Sequence, residues 1–313
     1  MAQENKTTSF LPKMRRGSFR EFIYRLYKEK KLGFFGGIIV ILFFLVGVFA
    51  PLIAPEGIYK MKMRDRLKPP STEFIMGTDH MGRSQYTRIV HGARISMVVG
   101  VSACALALII ATSLGLVSGY WGGKFDLVLQ RFVDAWLGFP WLFVILAVMA
   151  LIGPGMIQVI LVLGVFWGIA HIRMVRGVVM SAKQNVYVEA ARAVGVPTWR
   201  ILLKHILPQV WAPIITMFSV ALGGIILDEA TISYLGFGIP PPQPSWGGML
   251  SLEGKKYMLQ APWLALWPGI SLAVVIYGIN MFGDALRDLL DPSLRGGVGR
   301  YGWLFKRNKA KKS

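Results

Sequence analysis

Tyr187-Val-Glu-Ala-Ala-Arg-Ala-Val-Gly195-Val-Pro197-Thr-Trp-Arg-Ile-Leu-Leu-Lys-His-Ile-Leu-Pro208-Gln209 is a polar island between long apolar runs. Its composition predicts two short helices meeting at a bend. The first, Val188 to Val194, is built from strong helix formers and stops at Gly195, which takes the left-handed C′ conformation without a Cβ clash. The second is expected to begin with Pro197, tolerated at a first helical position, and to be closed by Pro208. Trp199, Leu202, Leu203 and Ile206 share one face of it, and Arg200, Lys204 and His205 the other. A bent pair of this kind, at the Lys/Arg-rich surface of a membrane protein, suits being gripped by a soluble partner. A plain amphipathic hairpin between two spans is the simpler alternative.

The rest of the chain is a membrane protein by composition. Of its 313 residues 54% are hydrophobic and only 16% charged, with mean hydropathy +0.51, where a soluble domain carries about 25% charged residues. A net charge of +19 could point to nucleic acid, but the apolar runs and the clustering of Lys/Arg at span ends argue against it. The single cysteine, Cys104, lies inside an apolar run and is read as a packing residue. Four scattered histidines offer no dedicated metal site. The first apolar run starts too late and runs too long for a cleavable signal peptide.

Taken in order, residues 1–31 form a basic tail with nine Lys/Arg against three acids. Phe19, Phe22, Ile23, Leu26 and Tyr27 are expected to face lipid on an interfacial helix. Residues 32–55 carry no charge and supply the first span; 56–92 form an external segment. Residues 93–290 hold five further spans with the 187–209 loop between the fourth and fifth, and 291–313 form a second basic tail. In the second span Gly100, Ala103, Ala107, Ala111, Gly115 and Gly119 make a stripe of small residues that permits close helix packing. The third span is expected to end at Ile152 after an amphipathic approach from Phe125 to Pro140. A carboxylate pair at membrane depth is ordinarily a functional hypothesis, but Asp228-Glu229 falls near the external end of the fifth span, where an interfacial or helix-packing role is the simpler alternative. The positive-inside rule puts both tails and the 187–209 loop in the cytoplasm.

Three segments carry a family resemblance. Glu189-Ala190-Ala191 followed by Gly195 resembles the EAA loop of permease subunits of ATP-binding-cassette (ABC) importers. Gly77-Thr78-Asp79 with Gly82-Arg83 resembles the signature before the second span of the oligopeptide/dipeptide/nickel permease family, with Ser84 where that family has Asp. Leu235-Gly-Phe-Gly-Ile-Pro240-Pro241-Pro242-Gln-Pro244-Ser-Trp246-Gly247 resembles another segment of the same family, and matching stretches run from Gly77 to Pro292. The resemblance implies an all-α, multi-pass protein of about six transmembrane helices, a type I ABC importer permease of the C-type subunit, with a cytoplasmic coupling helix. It implies coupling to an ATPase through Glu189, Ala190, Ala191, Arg192, Gly195 and Arg200. An external gate or binding-protein docking surface falls at Pro240, Pro241, Pro242, Pro244 and Trp246. Implied partners are a homologous second permease, two ATPases that bind the ATP and Mg, and an external solute-binding protein, in a bacterial or archaeal inner or plasma membrane.

The chain contains no Walker A loop, zinc-protease helix or nucleophile elbow, so it is not read as an enzyme and holds no cofactor of its own. Peptides are the favoured cargo by resemblance, with nickel, glutathione or oligosaccharide as alternatives. A secondary transporter or channel, or a non-transporting structural protein, are the competing readings.

Overall fold

A computed structural model describes residues 19–290; the expectations placed on 1–18 and 291–313 lie outside the described residues. The chain runs α1 (Phe19–Glu29), α2 (Lys31–Val48), α3 (Ala50–Ile53), α4 (Gln85–Trp121), α5 (Gly123–Leu137), α6 (Trp141–Ile152), α7 (Met156–Lys183), α8 (Val186–Ala193), α9 (Thr198–Arg200), α10 (Leu207–Tyr234), α11 (Trp246–Gly248) and α12 (Trp263–Leu290). Wider π-type turns occupy Ile201–Ile206 and Met249–Gly254. Among the described residues the only extended pairing is an isolated bridge between Thr78 and Ser84.

Five helices, α2, α4, α7, α10 and α12, are long and apolar enough to cross a membrane. The expected third span is different. With 12 residues α6 reaches only about 18 Å, short of the ~30 Å hydrocarbon core. Pro140 disfavours helical geometry at Phe139, and α5 meets α6 there at 90°. Taken together as one bent unit, not one rod, α5 and α6 bring the candidate crossings among the described residues to six. Its α5 arm is pinned to α7: both Asp126 oxygens accept from Arg176 at 2.6 Å, and Asp134 accepts from Arg173.

α4 is the scaffold. At 37 residues it extends about 55 Å, starting at Gln85, well before the expected position, so that its first turns pack with the loop that precedes them. The small-residue stripe does what its spacing predicts: all six positions are buried, and a Cβ on Gly115 would lie 2.7 Å from Val175 of α7. On the other side of the bundle α2 packs on α12, where a Cβ on Gly36 would sit 2.6 Å from the Gly278 carbonyl. α1 departs from its expected lipid-facing set. Leu26 is buried against Ala285 and Leu289 with Phe22 beside it, because α12 continues past the span and offers an apolar face; Ile23 and Tyr27 stay exposed.

Pro208 does not close a helix. It falls in the first turn of α10, where its missing N–H has no intrahelical partner, so the chain passes from the π-type turn straight into the fifth span. Pro197 stands just outside α9 at the N-cap, with Thr198 the first helical residue.

Candidate functional site

The 187–209 loop forms a bent cap on the ends of α4, α7 and α10. Gly195 has φ +76°, the Gly195 N–H donates to the Arg192 carbonyl at 3.0 Å, and the Val196 N–H donates to the Ala191 carbonyl at 3.0 Å. These two bonds are the Schellman closure of α8, and they require a left-handed residue at position 195. Val188 and Ala191 point inward onto Ile201, Leu202, Ile206 and Val210. Ala191 therefore belongs to the chain's own core, and Glu189, Ala190, Gly195 and Arg200 remain on the outer surface. Tyr120, at the end of α4, joins this cap to the bundle. Its hydroxyl accepts from Arg192 Nε at 3.3 Å, the Arg192 and Lys183 cations lie 5.1 Å and 5.5 Å from its ring, and its carbonyl accepts from Lys183 Nζ at 2.5 Å. Sequence reasoning passed over Tyr120, since a tyrosine at a span end reads as an interface anchor.

The signature segment from Gly77 to Arg83 folds into a charged knot. Gly77 and Gly82 have φ +77° and +71°, and a Cβ on Gly82 would meet the Lys62 carbonyl at 1.9 Å. Between them Asp79 accepts from the Met81 and Arg83 N–H groups at 2.8 and 2.9 Å and from Arg83 Nε at 2.5 Å. Thr78 Oγ1 accepts from the Lys68 N–H at 2.9 Å and donates to the Asp65 carbonyl. Ser84, where the family pattern has Asp, N-caps α4 by accepting from Thr87 N–H at 3.4 Å, a task a carboxylate would also perform. The knot is closed by a residue that no motif marks: Glu253 accepts from Arg83 and Arg88 at 2.9 and 3.1 Å, all three buried. Burial raises the Glu253 carboxyl from its ordinary value and the Arg88 guanidinium opposes that shift. On the exposed side, the hydrogen bond from Lys68 holds Asp65 below its ordinary value.

The proline segment divides. Pro240, Pro241 and Pro242 are exposed at its tip and Pro241 and Pro242 line a cavity with Arg83, Glu253 and Tyr257, whereas Pro244 and Trp246 are buried. Trp246, expected at the docking surface, instead packs among Phe43, Ile89 and Met249 and donates its indole N–H to the Ile89 carbonyl at 3.1 Å. An aromatic with a polar edge gains more from an enclosed site with one acceptor than from water. Ser245 N-caps the short helix that carries it, accepting from Gly248 N–H at 3.2 Å.

The two α10 carboxylates are buried among helices. Glu229 is fully enclosed and accepts from Ser96 at 3.2 Å and Ser233 at 2.9 Å. Asp228 accepts from Trp167 Nε1 at 2.8 Å, and Gly224 lets that ring lie against α10, since a Cβ there would come within 2.5 Å of it. Trp167 stacks on His171 at 5.4 Å, and the pair separates two cavities. One, about 550 Å³, lies between α7, α10 and α12. The other, about 730 Å³, lies between α7, Asp228 and the bend at Gly138–Pro140.

A bent helix pair, a bent cap joining two spans and five long apolar helices make up a membrane permease of the ABC-importer type. Residues 111–296 match the family described as binding-protein-dependent transport system inner membrane component, and residues 18–70 match the N-terminal TM domain of oligopeptide transport permease C. This chain belongs to that family of inner-membrane transport components. It is 39% identical to a dipeptide transport system permease protein of Alkalihalophilus pseudofirmus over 87% of this chain and 89% of that one. It is 35% identical to a glutathione transport system permease protein of Pectobacterium atrosepticum, covering 90% and 93% of the two chains. An oligopeptide transport system permease protein of Bacillus subtilis is 35% identical over 86% and 88%. The fold resembles the solved methionine ABC transporter MetNI with a TM-score of 0.53 at 17% identity, over 65% of this chain and 96% of that one.

Proposed function

We propose that this chain is one of two permease subunits of an ATP-driven importer for di- and oligopeptides, with glutathione as the alternative cargo that one relative favours. The observation that carries the reading is the Schellman-closed cap at Gly195, which leaves Glu189, Ala190 and Arg200 outward and continues without a break into α10. A partner that grips this cap moves a membrane span directly. ATP and Mg bind on two partner ATPases whose closure favours one arrangement of the spans, since a ligand shifts only equilibria between states it binds unequally. The exposed Pro240–Pro242 tip, backed by the Arg83–Glu253 knot, is a rigid external surface for a solute-binding protein or gate. Both termini lie in the cytoplasm of a bacterial or archaeal cell, and the membrane is the inner or plasma membrane.

The test is reconstitution of this chain with a second permease, two ATPases and a binding protein from the same genome. Dialanine uptake that requires ATP and the binding protein is the expected result. Failure of the ATPases to co-purify with the permease pair, or uptake driven by an ion gradient without ATP, refutes it. Ser71→Cys should be labelled from outside intact cells and Ser313→Cys only after permeabilisation.

A further inference from the structure

The second cavity has two independent marks of a ligand site. Its wall includes the break between α5 and α6, and interrupted helices at membrane depth occur where the backbone lines a cavity that binds something. Its wall also includes a carboxylate. Asp228 lies six residues before the end of α10, about 9 Å along the axis, in the external part of the span. Its neighbour Glu229 has two hydroxyl donors and borders neither cavity, which fits a packing role. Asp228 has one neutral donor, Trp167, and among the described residues no Lys or Arg forms an ion pair with it.

Around that carboxylate the cavity is lined by Phe139, Pro140, Trp141, Trp167 and His171. Carboxylate plus aromatic rings is the environment that recognises a substituted ammonium, by charge on one side and ring quadrupoles on the others. The cavity is open on the side where Phe139 and Trp141 stay exposed, and its volume of about 730 Å³ admits a small peptide.

We propose that Asp228, with the aromatic walls at Phe139, Trp141 and Trp167, receives the α-ammonium group of the solute on its way through this subunit. The inference rests on the peptide-importer reading above and adds where and by what chemistry the cargo is met. Dipeptides, oligopeptides and glutathione share that ammonium. A solute entering from outside reaches Asp228 before the cavity beyond the Trp167–His171 stack.

The experiment uses the complete importer in proteoliposomes, with labelled dialanine, tetra-alanine and glutathione as separate probes. Asp228→Asn keeps the size of the side chain and an oxygen for Trp167, and Asp228→Glu keeps the charge. We expect Asp228→Asn to lower the initial uptake of whichever probe the wild type carries by tenfold or more. Asp228→Glu should retain at least a third of the rate, with all three proteins assembling equally and melting alike. Uptake by Asp228→Asn within twofold of wild type overturns the proposal. So does an Asp228→Asn chain that no longer pairs with the second permease, which would show that the carboxylate meets a cation of that subunit. If Asp228→Asn fails to insert or fold, the carboxylate is structural and the proposal is also overturned. A wild-type importer that carries none of the three probes refutes the peptide reading itself, and with it this site.

Discussion

Replacing Gly195 separates backbone conformation from bulk. The residue has φ +76°, and no heavy atom would lie within 4 Å of a Cβ placed there. A substitution therefore meets no clash within this chain, and the whole effect comes from holding an L-residue in the left-handed region. That costs roughly 1–2 kcal/mol for a residue such as Ala, and more for a β-branched one. Asn visits the same region at a much smaller cost. At ~1.4 kcal/mol per tenfold change in an equilibrium, Gly195→Val should deplete the bent cap by about tenfold or more, and Gly195→Asn by a factor of a few at most. The loss is local, because Val188, Ala191 and Ile206 still hold the cap to the bundle. The assay is ATP-dependent peptide uptake alongside ATPase binding to the purified permease pair. The expected order of uptake is Gly195, then Asn, then Ala, then Val, with membrane insertion unchanged. A Gly195→Val protein that imports at the wild-type rate refutes the coupling role of the bend. Asn and Val variants that are equally damaged refute the conformational argument, and would show that the partner ATPase presses on this position.

Tyr120→Ala removes the acceptor for Arg192 and the ring under two cations, each cation–π contact being worth about 0.5–1 kcal/mol; weaker ATPase retention is expected, and Tyr120→Phe should recover most of it. Trp246→Ala empties a buried aromatic site at a cost of about 3–5 kcal/mol, so it should lower the melting temperature in detergent. Pro240→Gly, Pro241→Gly and Pro242→Gly together should leave melting unchanged and weaken stimulation of ATP hydrolysis by the loaded binding protein; the reverse pattern would mean that the two roles have been assigned the wrong way round. Glu253→Ala removes one of the two buried carboxylates that face Arg83 and Arg88 and leaves Asp79 alone to both guanidinium groups, at a cost of up to about 3–5 kcal/mol. It should destabilise the knot around Asp79 by melting and by protease access near Gly77, and no change in either measure would show that Asp79 alone suffices for the arginines.

What the sequence made legible divides along the range of the forces involved. The number of long apolar helices, the small-residue stripe and the stop at Gly195 depend on local composition and on one residue's φ; the stripe and the stop stand where the pattern put them, while α4 starts earlier and the third span is bent. Trp246 and Ala191 were assigned outward because a motif reports which residues recur, not which way a side chain faces. Trp246 turns inward because the Ile89 carbonyl is there to accept its proton, and Ile89 lies 157 residues away in sequence. Glu253 was invisible for the same reason, since its worth comes from Arg83 and Arg88, 170 and 165 residues distant. The bend between α5 and α6 was closer to hand: Gly138-Phe139-Pro140 is a breaker by its own chemistry, and reading it as the approach to a straight span overlooked that 12 apolar residues cannot cross the hydrocarbon. That oversight matters for function. The break between α5 and α6 brings Gly138, Phe139 and Pro140 into the wall of the same cavity that Asp228 lines, so the feature that a straight span would hide is the one the ammonium proposal depends on.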